Sequence, residues 1–315
     1  MGAISQSDIL GYLANTVNLP REKLDRYRGQ VNYLRDRLKA YVDDNPEFGL
    51  VKMLHSGSSA KGTALSTLND LDVAVYLRPE SVSGWELDNV IEYVRELLID
   101  AYHQMEPDQF STGRHAVRVS FKSSGLDVDV VPVIPNGDPD DRGDIPNAET
   151  GEWVETSIPL HLRFMRDRKQ SHAHFANLVR LTKWWRNEQD IKFKSFLIEL
   201  LWAHVLDQGL VQPDDLQDAL VGFFAYIVRT RLDEPIVFTD NYAASAVQLG
   251  GANVQVFDPV NPANNVAERM SSLRRQSLVD AAAAALDLAS TASSAHTKGR
   301  AGEYYRRLFG PSFRV

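Results

Sequence analysis

The chain of 315 residues contains no cysteine. That excludes a disulfide framework, a thiolate-ligated zinc site and a cysteine nucleophile, and it fits the reducing conditions of a cytoplasm. Positive net charge is also missing: 34 Lys and Arg stand against 42 Asp and Glu, for a formal net charge of −8. Nucleic-acid binding would therefore need a local basic patch. Long apolar runs are absent as well, since even "AAAAALDLA" is too short to span a bilayer and carries Asp287. The stretch "MGAISQSDIL" has neither the basic nor the apolar region of a secretion signal, and Gln6 stands where an N-myristoylation signal wants Ser or Thr. The expectation is a cytoplasmic protein with no membrane contact.

What is present divides the chain in two. Helices are expected over 5–16 and 20–43; in the second, Leu24, Tyr27, Val31, Leu34, Leu38 and Tyr41 recur at helical spacing. Strands are expected over 49–55 and 70–77, a helix over 85–105, and a hairpin of strands over 115–122 and 126–134 joined by "SSG". "PNGDPDDRGDIPNAETGE" then reads as a long ordered loop or boundary. Helices follow over 158–188, 194–208, 213–230, 262–289 and 296–309. The fold class is α+β: a mixed sheet with helices over 1–150, then a helical domain over 151–315, with the active site expected in the cleft between them.

The chemistry concentrates in "GSSAKGTALSTLNDLDVAVYL", Gly57 to Leu77. Residues two apart on a strand share a face, so Asp70 and Asp72 project together while Leu71 and Val73 enter the core. Adjacent carboxylates repel, and a divalent cation relieves that repulsion. In "LDVDVVPVIP", Asp127 and Asp129 form a second such pair. A two-metal site needs a third acid from a neighbouring strand. Gly57 lets backbone N–H groups approach a phosphate, and Ser58 adds a hydroxyl donor. Either feature alone is ordinary surface or loop; their combination is specific. A Walker A loop is excluded by the spacing around Lys61.

These residues resemble the nucleotidyltransferase superfamily related to DNA polymerase β, with its Gly-Ser loop, Asp-x-Asp strand and later third Asp. More narrowly they resemble the bacterial CD-NTases, relatives of cyclic GMP–AMP synthase and 2′-5′ oligoadenylate synthetase. The third-acid strand of that family has its Asp three residues before a Pro, which selects Asp129, with Pro132, over Asp127. "LVRLTKWWR" is similar to the family helix whose Lys contacts the triphosphate, here Lys183. "KSFLIELL" is similar to a segment in which a Ser binds phosphate and the next aromatic stacks on a base, here Ser195 and Phe196. "VFDPVNPANNV" looks like the Asp-Pro…Asn-Val segment of oligoadenylate synthetases, here Asp258, Pro259 and Asn265.

The resemblance implies a polymerase-β-like nucleotidyltransferase that makes a cyclic oligonucleotide second messenger from nucleoside triphosphates, ATP among them, in antiviral defence. It implies two Mg²⁺ ions, or Mn²⁺ in their place, on Asp70, Asp72 and Asp129. Nucleotide contacts fall to Gly57, Ser58, Lys183, Ser195, Phe196 and Asp258. A HORMA-type activator and double-stranded DNA are family partners; for DNA the relevant cations are Arg163, Arg166, Arg168, Lys169, Lys192 and Lys194. The rival readings are a linear oligoadenylate synthetase, an RNA-tailing enzyme, and an inactive nucleotide-binding regulatory module. Simple alternatives stand beside the weaker residues: a core role for Phe196, a helix cap for Ser195 and a turn for Asp258. His161, His172 and His174 lack the companions of a zinc site.

Overall fold

The computed structural model describes residues 3–46, 48–113, 115–146 and 152–314. It forms two compact units, one of residues 19–163 and one of residues 1–18 with 164–315. The division between the units falls between residues 163 and 164, inside a helix, and residues 3–18 pack with the C-terminal unit. Their anchors explain why. Gln217 donates to the backbone carbonyl of Ile4 at 2.7 Å, the Tyr12 hydroxyl donates to that of Phe309 at 3.2 Å, and the Tyr12 ring lies 4.7 Å from that of Phe313.

The unit of residues 19–163 is built on one sheet. Its elements are α2 (Arg21–Asp44, after α1, Gln6–Tyr12, of the other unit), β1 (Leu50–His55), α3 (Gly57–Lys61), β2 (Asp70–Leu77), α4 (Pro79–Val82), α5 (Leu87–Ala101), β3 (Phe110–Thr112), β4 (Val117–Phe121), β5 (Leu126–Pro135), β6 (Gly143–Pro146) and β7 (Trp153–Thr156). The strand order is β1-β2-β5-β4-β3, with β6 on β5 and β7 on β6; β2 and β5 run parallel and the other pairs antiparallel. Strand β6 lies within what reads in sequence as loop, and β7 follows directly after that segment. Gly143 permits this, because a Cβ there would stand 2.6 Å from the carbonyl oxygen of Ile134 on β5.

Side-chain alternation decides which face becomes the site. Leu71, Val73, Val75 and Leu77 of β2 pack with Val128 and Val130 of β5 against Val31, Leu34 and Leu38 of α2 and Val94, Leu97 and Leu98 of α5. Each such burial contributes about 1.5–3 kcal/mol. A one-residue register slip would exchange the two faces and bring Asp70, Asp72, Asp127 and Asp129 into this apolar core, so the register is strongly fixed. The intervening residues Asp70, Asp72, Asp127 and Asp129 must then take the other face.

The second unit is helical: the C-terminal part of α6 (Ile158–Ser171), then α7 (Phe175–Glu188), α8 (Ser195–Asp207), α9 (Leu216–Thr230), α10 (Ser272–Ser294) and α11 (Lys298–Phe309). Trp202 stacks on Phe223 at 4.2 Å, and Trp185 meets Phe224 at 4.9 Å. The single helix expected over 158–188 is broken at His174, which is left-handed with φ 59°. The helix expected from 262 starts at Ser272 instead. Asn261 and Asn265 hold the preceding segment in side-chain-to-backbone turns, and Ser271 caps the helix through the backbone N–H of Arg274. Among the described residues no helix is long and apolar enough to cross a membrane.

Candidate active site

Parallel pairing of β2 with β5 sets Asp70 beside Asp127 and Asp72 beside Asp129. Four carboxylates thus share the N-terminal ends of two adjacent strands, on the face away from α2 and α5. Burial pushes the Asp72 carboxyl up to about 6; Asp70 and Asp129 push the same way, while Lys61 and Arg118 oppose them. Asp70 is exposed and Asp129 half-buried. Asp127 differs from its neighbours because it accepts a 2.7 Å hydrogen bond from the Ser120 hydroxyl.

The turn after β1 closes on these acids. The Ser56 N–H donates to the backbone carbonyl of Asp72 at 2.9 Å. Gly57 follows with φ +64°, a conformation that glycine adopts without strain. A Cβ at Gly57 would lie 1.8 Å from Oδ2 of Asp72, so the missing side chain is what lets the turn touch the carboxylate. Ser58 sits in the single helical turn α3, and Gly62, left-handed at φ +76°, ends that turn. A cavity of about 240 Å³ opens beside Asp72. Ser56, Gly57 and Lys61 line its polar end, Ala74, Val131 and Ile145 its apolar side, and His161 also borders it.

Two members of this neighbourhood were not singled out in the sequence. Arg118 stands opposite Asp129 across β4–β5 and grips both its oxygens, Nε to Oδ1 at 2.8 Å and Nη2 to Oδ2 at 2.9 Å. Asp129, and less strongly Asp127 and Asp70, hold its guanidinium above the ordinary value. The signal was the hairpin itself, because "SSG" fixes which residues of its two strands face each other. His161 reads in sequence as surface helix, yet it borders the cavity and lies 3.3 Å from the Thr156 hydroxyl.

The remaining expected residues lie in the helical unit. Lys183 is buried and pairs with Glu199 at 2.6 Å. Ser195 is not the cap of α8, which is Lys194; its hydroxyl accepts from Arg186 at 2.9 Å. Phe196 is half-buried rather than a core residue. The carboxylate of Asp258 accepts from the Val260 N–H at 2.8 Å and from the Asn264 amide at 3.1 Å, as a turn residue does. Of the six cations considered for DNA, Arg168 is buried between Asp207 and Asp240, Lys192 pairs with Asp190, and Lys194 donates to the Val266 carbonyl. Within the unit of residues 19–163, Arg163 pairs with Asp140. Arg166 and Lys169 remain exposed.

Half-buried carboxylates crowded to the point that one resists ionisation suit a hard divalent cation with oxygen ligands. Among the described residues no three His, Asp or Glu side chains already form a closed metal cluster. The oxygens of Asp129 are turned to Arg118.

Residues 4–168 match the model of the Second Messenger Oligonucleotide or Dinucleotide Synthetase domain. The cyclic AMP-AMP-AMP synthase of Escherichia coli (strain MS 115-1) is 43% identical over 98% of both chains. The chain belongs to the second messenger oligonucleotide or dinucleotide synthetase family. Another relative, the CBASS oligonucleotide cyclase CdnC of E. coli (strain KTE188), is 32% identical over 99% of this chain and 98% of its own. The solved structure of E. coli MS115-1 CdnC with ATP superposes with a TM-score of 0.93 at 42% identity, covering 99% of this chain and all of that one. CdnC in complex with HORMA-deltaN gives 0.92, covering 99% of each. As a member of the synthetase family the chain is a nucleotidyltransferase of the CD-NTase type, a maker of cyclic oligonucleotides, and divalent-metal dependence is general in that family.

Proposed function

We propose that this chain joins ATP molecules into a cyclic trinucleotide with release of pyrophosphate, that Mg²⁺ is its metal, and that it works in the cytoplasm in antiviral defence. The observation that carries the chemistry is the parallel register that sets Asp72 beside Asp129 with Asp70 on the same face. The choice of ATP and of a three-membered ring is supported by the 43% identity to a cyclic AMP-AMP-AMP synthase across nearly the whole of both chains.

In this reading Asp70, Asp72 and Asp129 hold two Mg²⁺ ions. When bound, the ions neutralise the triphosphate and acidify the attacking ribose hydroxyl. The protein's own contribution is placement. Asp72, kept half-buried by its strand and by Gly57, would hold the ion in its ionised form, which prevails above about pH 6. Backbone groups of the Gly57–Ser58 turn and the Lys61 ammonium receive the phosphates that depart. In-line attack on the α-phosphorus forms the new P–O bond as the bond to pyrophosphate breaks, and the hydroxyl proton leaves to solvent. Phe196, half-exposed, offers a face to a base, and Ser195 offers a hydroxyl beside Arg186. For Lys183 to reach phosphate it must exchange Glu199 for the nucleotide. Asp258 shapes the turn that carries Asn264 and Asn265.

A HORMA-type protein is proposed as partner, supported by the complex formed by the 42%-identical CdnC. Incubation of the purified chain with the four nucleoside triphosphates and Mg²⁺ or Mn²⁺, with and without a HORMA protein, tests the whole reading. Mass spectrometry and linkage-specific nuclease digestion identify the product. A phosphatase-resistant cyclic triadenylate is the expected result. A product with a free end would favour the linear oligoadenylate or RNA-tailing rivals, and no incorporation under any of these conditions would favour the inactive module.

A further inference from the structure

Of the four carboxylates on the acidic face, Asp129 alone has both oxygens held by one cation among the contacts of the described residues. Arg118 does this with a two-pronged grip, at 2.8 and 2.9 Å. The arrangement follows from the hairpin, since antiparallel pairing puts Arg118 directly opposite Asp129 and Ser120 directly opposite Asp127. A guanidinium fork matches a carboxylate in its plane and covers the lone pairs that a metal ion would use. The two partners are unequally free to move. Asp129 is 15% exposed and lies on a central strand, whereas the Arg118 side chain is 48% exposed. If the pair opens, the arginine is the member that swings away.

We infer that Arg118 is the resident counter-cation of the third carboxylate, and that a divalent metal binds Asp129 by displacing it. This rests on the reading of Asp70, Asp72 and Asp129 as metal ligands, and adds a residue that sets how tightly the metal is held. Arg118 keeps the acidic face from carrying its full negative charge while no metal is bound. It competes with the ion for the same two oxygens, so the face is protected at the expense of metal affinity. The displaced guanidinium stays among Asp127, Asp70 and any bound phosphates, where its charge remains useful. The opposite role, in which Arg118 merely orients Asp129 for the metal, makes the opposite prediction.

The test is Mn²⁺ binding by the full chain without nucleotide, measured from the electron paramagnetic resonance signal of free Mn²⁺. Wild type, Arg118→Gln, Arg118→Lys, Asp129→Asn and the double variant Arg118→Gln/Asp129→Asn are compared. Removing a partly exposed, two-pronged ion pair should tighten Mn²⁺ binding about three- to tenfold in Arg118→Gln. Arg118→Lys keeps a point charge but not the fork, so it should fall between the two. In the Asp129→Asn background the Arg118→Gln change should have no further effect, as the coupling requires. Equal or weaker Mn²⁺ binding in both Arg118 variants, with the usual loss in Asp129→Asn, overturns the inference alone. Unchanged binding in Asp129→Asn overturns the metal assignment itself, and the inference with it.

Discussion

Gly57 is pressed against Asp72 so closely that a methyl group there would lie 1.8 Å from the carboxylate Oδ2. The turn and the acid are therefore one device: the position of the Gly57 backbone is set by contact with the Asp72 carboxylate, and under the proposed function the same contact would couple phosphate binding to metal binding. Gly57→Ala combines that overlap with a φ of +64°, which an L side chain adopts only under strain. The expected outcome is loss of nucleotide incorporation by at least about a hundredfold, on the scale of a misplaced reacting group. Activity within a fewfold of wild type, by thin-layer chromatography of labelled ATP products, would contradict the close approach. Gly84→Ala, also at positive φ but with nothing within 4 Å, is the control for backbone strain alone.

Asp72 carries a pH signature. Its carboxyl lies at about 6 in the folded chain against an ordinary 3.8, chiefly through burial. Because the folded value is raised, the folded state binds this proton more tightly than the unfolded state does. Stability from this group is complete below about pH 4 and is lost as pH rises through about 6, a loss of at most about 3 kcal/mol. In EDTA, Asp72→Asn should thus melt above wild type at pH 7.5, and the difference should shrink as pH falls from 6 towards 4. Metal binding has the opposite slope, because the ion needs the ionised form. Mn²⁺ affinity of the wild type should fall below about pH 6. A pH-independent melting difference, followed by circular dichroism, would refute the assignment.

The two acids of β5 should separate by function. Asp127 bonds to Ser120, whereas Asp129 pairs in register with Asp72. Asp129→Asn is expected to abolish synthesis, as are Asp70→Asn and Asp72→Asn, with folding retained. Asp127→Asn should keep most of the activity. The reverse ranking in the labelled-ATP assay would assign the third metal ligand to Asp127.

The acidic core was legible because two physical rules locate it without tertiary information. Period-two alternation set Asp70 and Asp72 on one face, and a buried Val/Leu set fixed which face that was. Strand β2 came out at the expected residues, Asp70 to Leu77. Arg118 was missed because its significance is a pairing relation, and register across a hairpin is a property of two strands together. Strand β6 was hidden by Gly, Pro and Asp, residues that signal loops unless, as at Gly143, close backbone approach demands them, and the four-residue β7 offered too short a pattern to read. Lys183 looked like a phosphate clamp because nothing local marks Glu199, sixteen residues on, as its partner.

The cations considered for DNA reduce to a narrower test. Arg168 is taken by Asp207 and Asp240, so reversing Arg166 and Lys169 to Glu is the informative change. If duplex DNA binds, its affinity should fall in this variant, and the salt slope should flatten by about two phosphate contacts. Fluorescence anisotropy with a labelled duplex, from low to physiological salt, measures both. Equal binding by the variant would remove this surface from consideration.

Lys183 and Glu199 form a buried ion pair, with side chains 3% and 2% exposed. Removing one partner strands a charge in the interior, which costs about 3–5 kcal/mol, whereas replacing both by apolar residues of similar volume is often neutral. Lys183→Ala should therefore lower the melting temperature sharply, and Lys183→Met/Glu199→Leu should restore it. That folded double variant then isolates any contact with nucleotide. A lysine that also meets the triphosphate predicts a raised KM for ATP with kcat little changed, since the interaction is already present before the transition state. Restored stability with an unchanged KM would make Lys183 a strut of the helical unit only. Full stability of Lys183→Ala would instead show that the pair carries no weight in the fold and leave the phosphate role as the reason for the lysine.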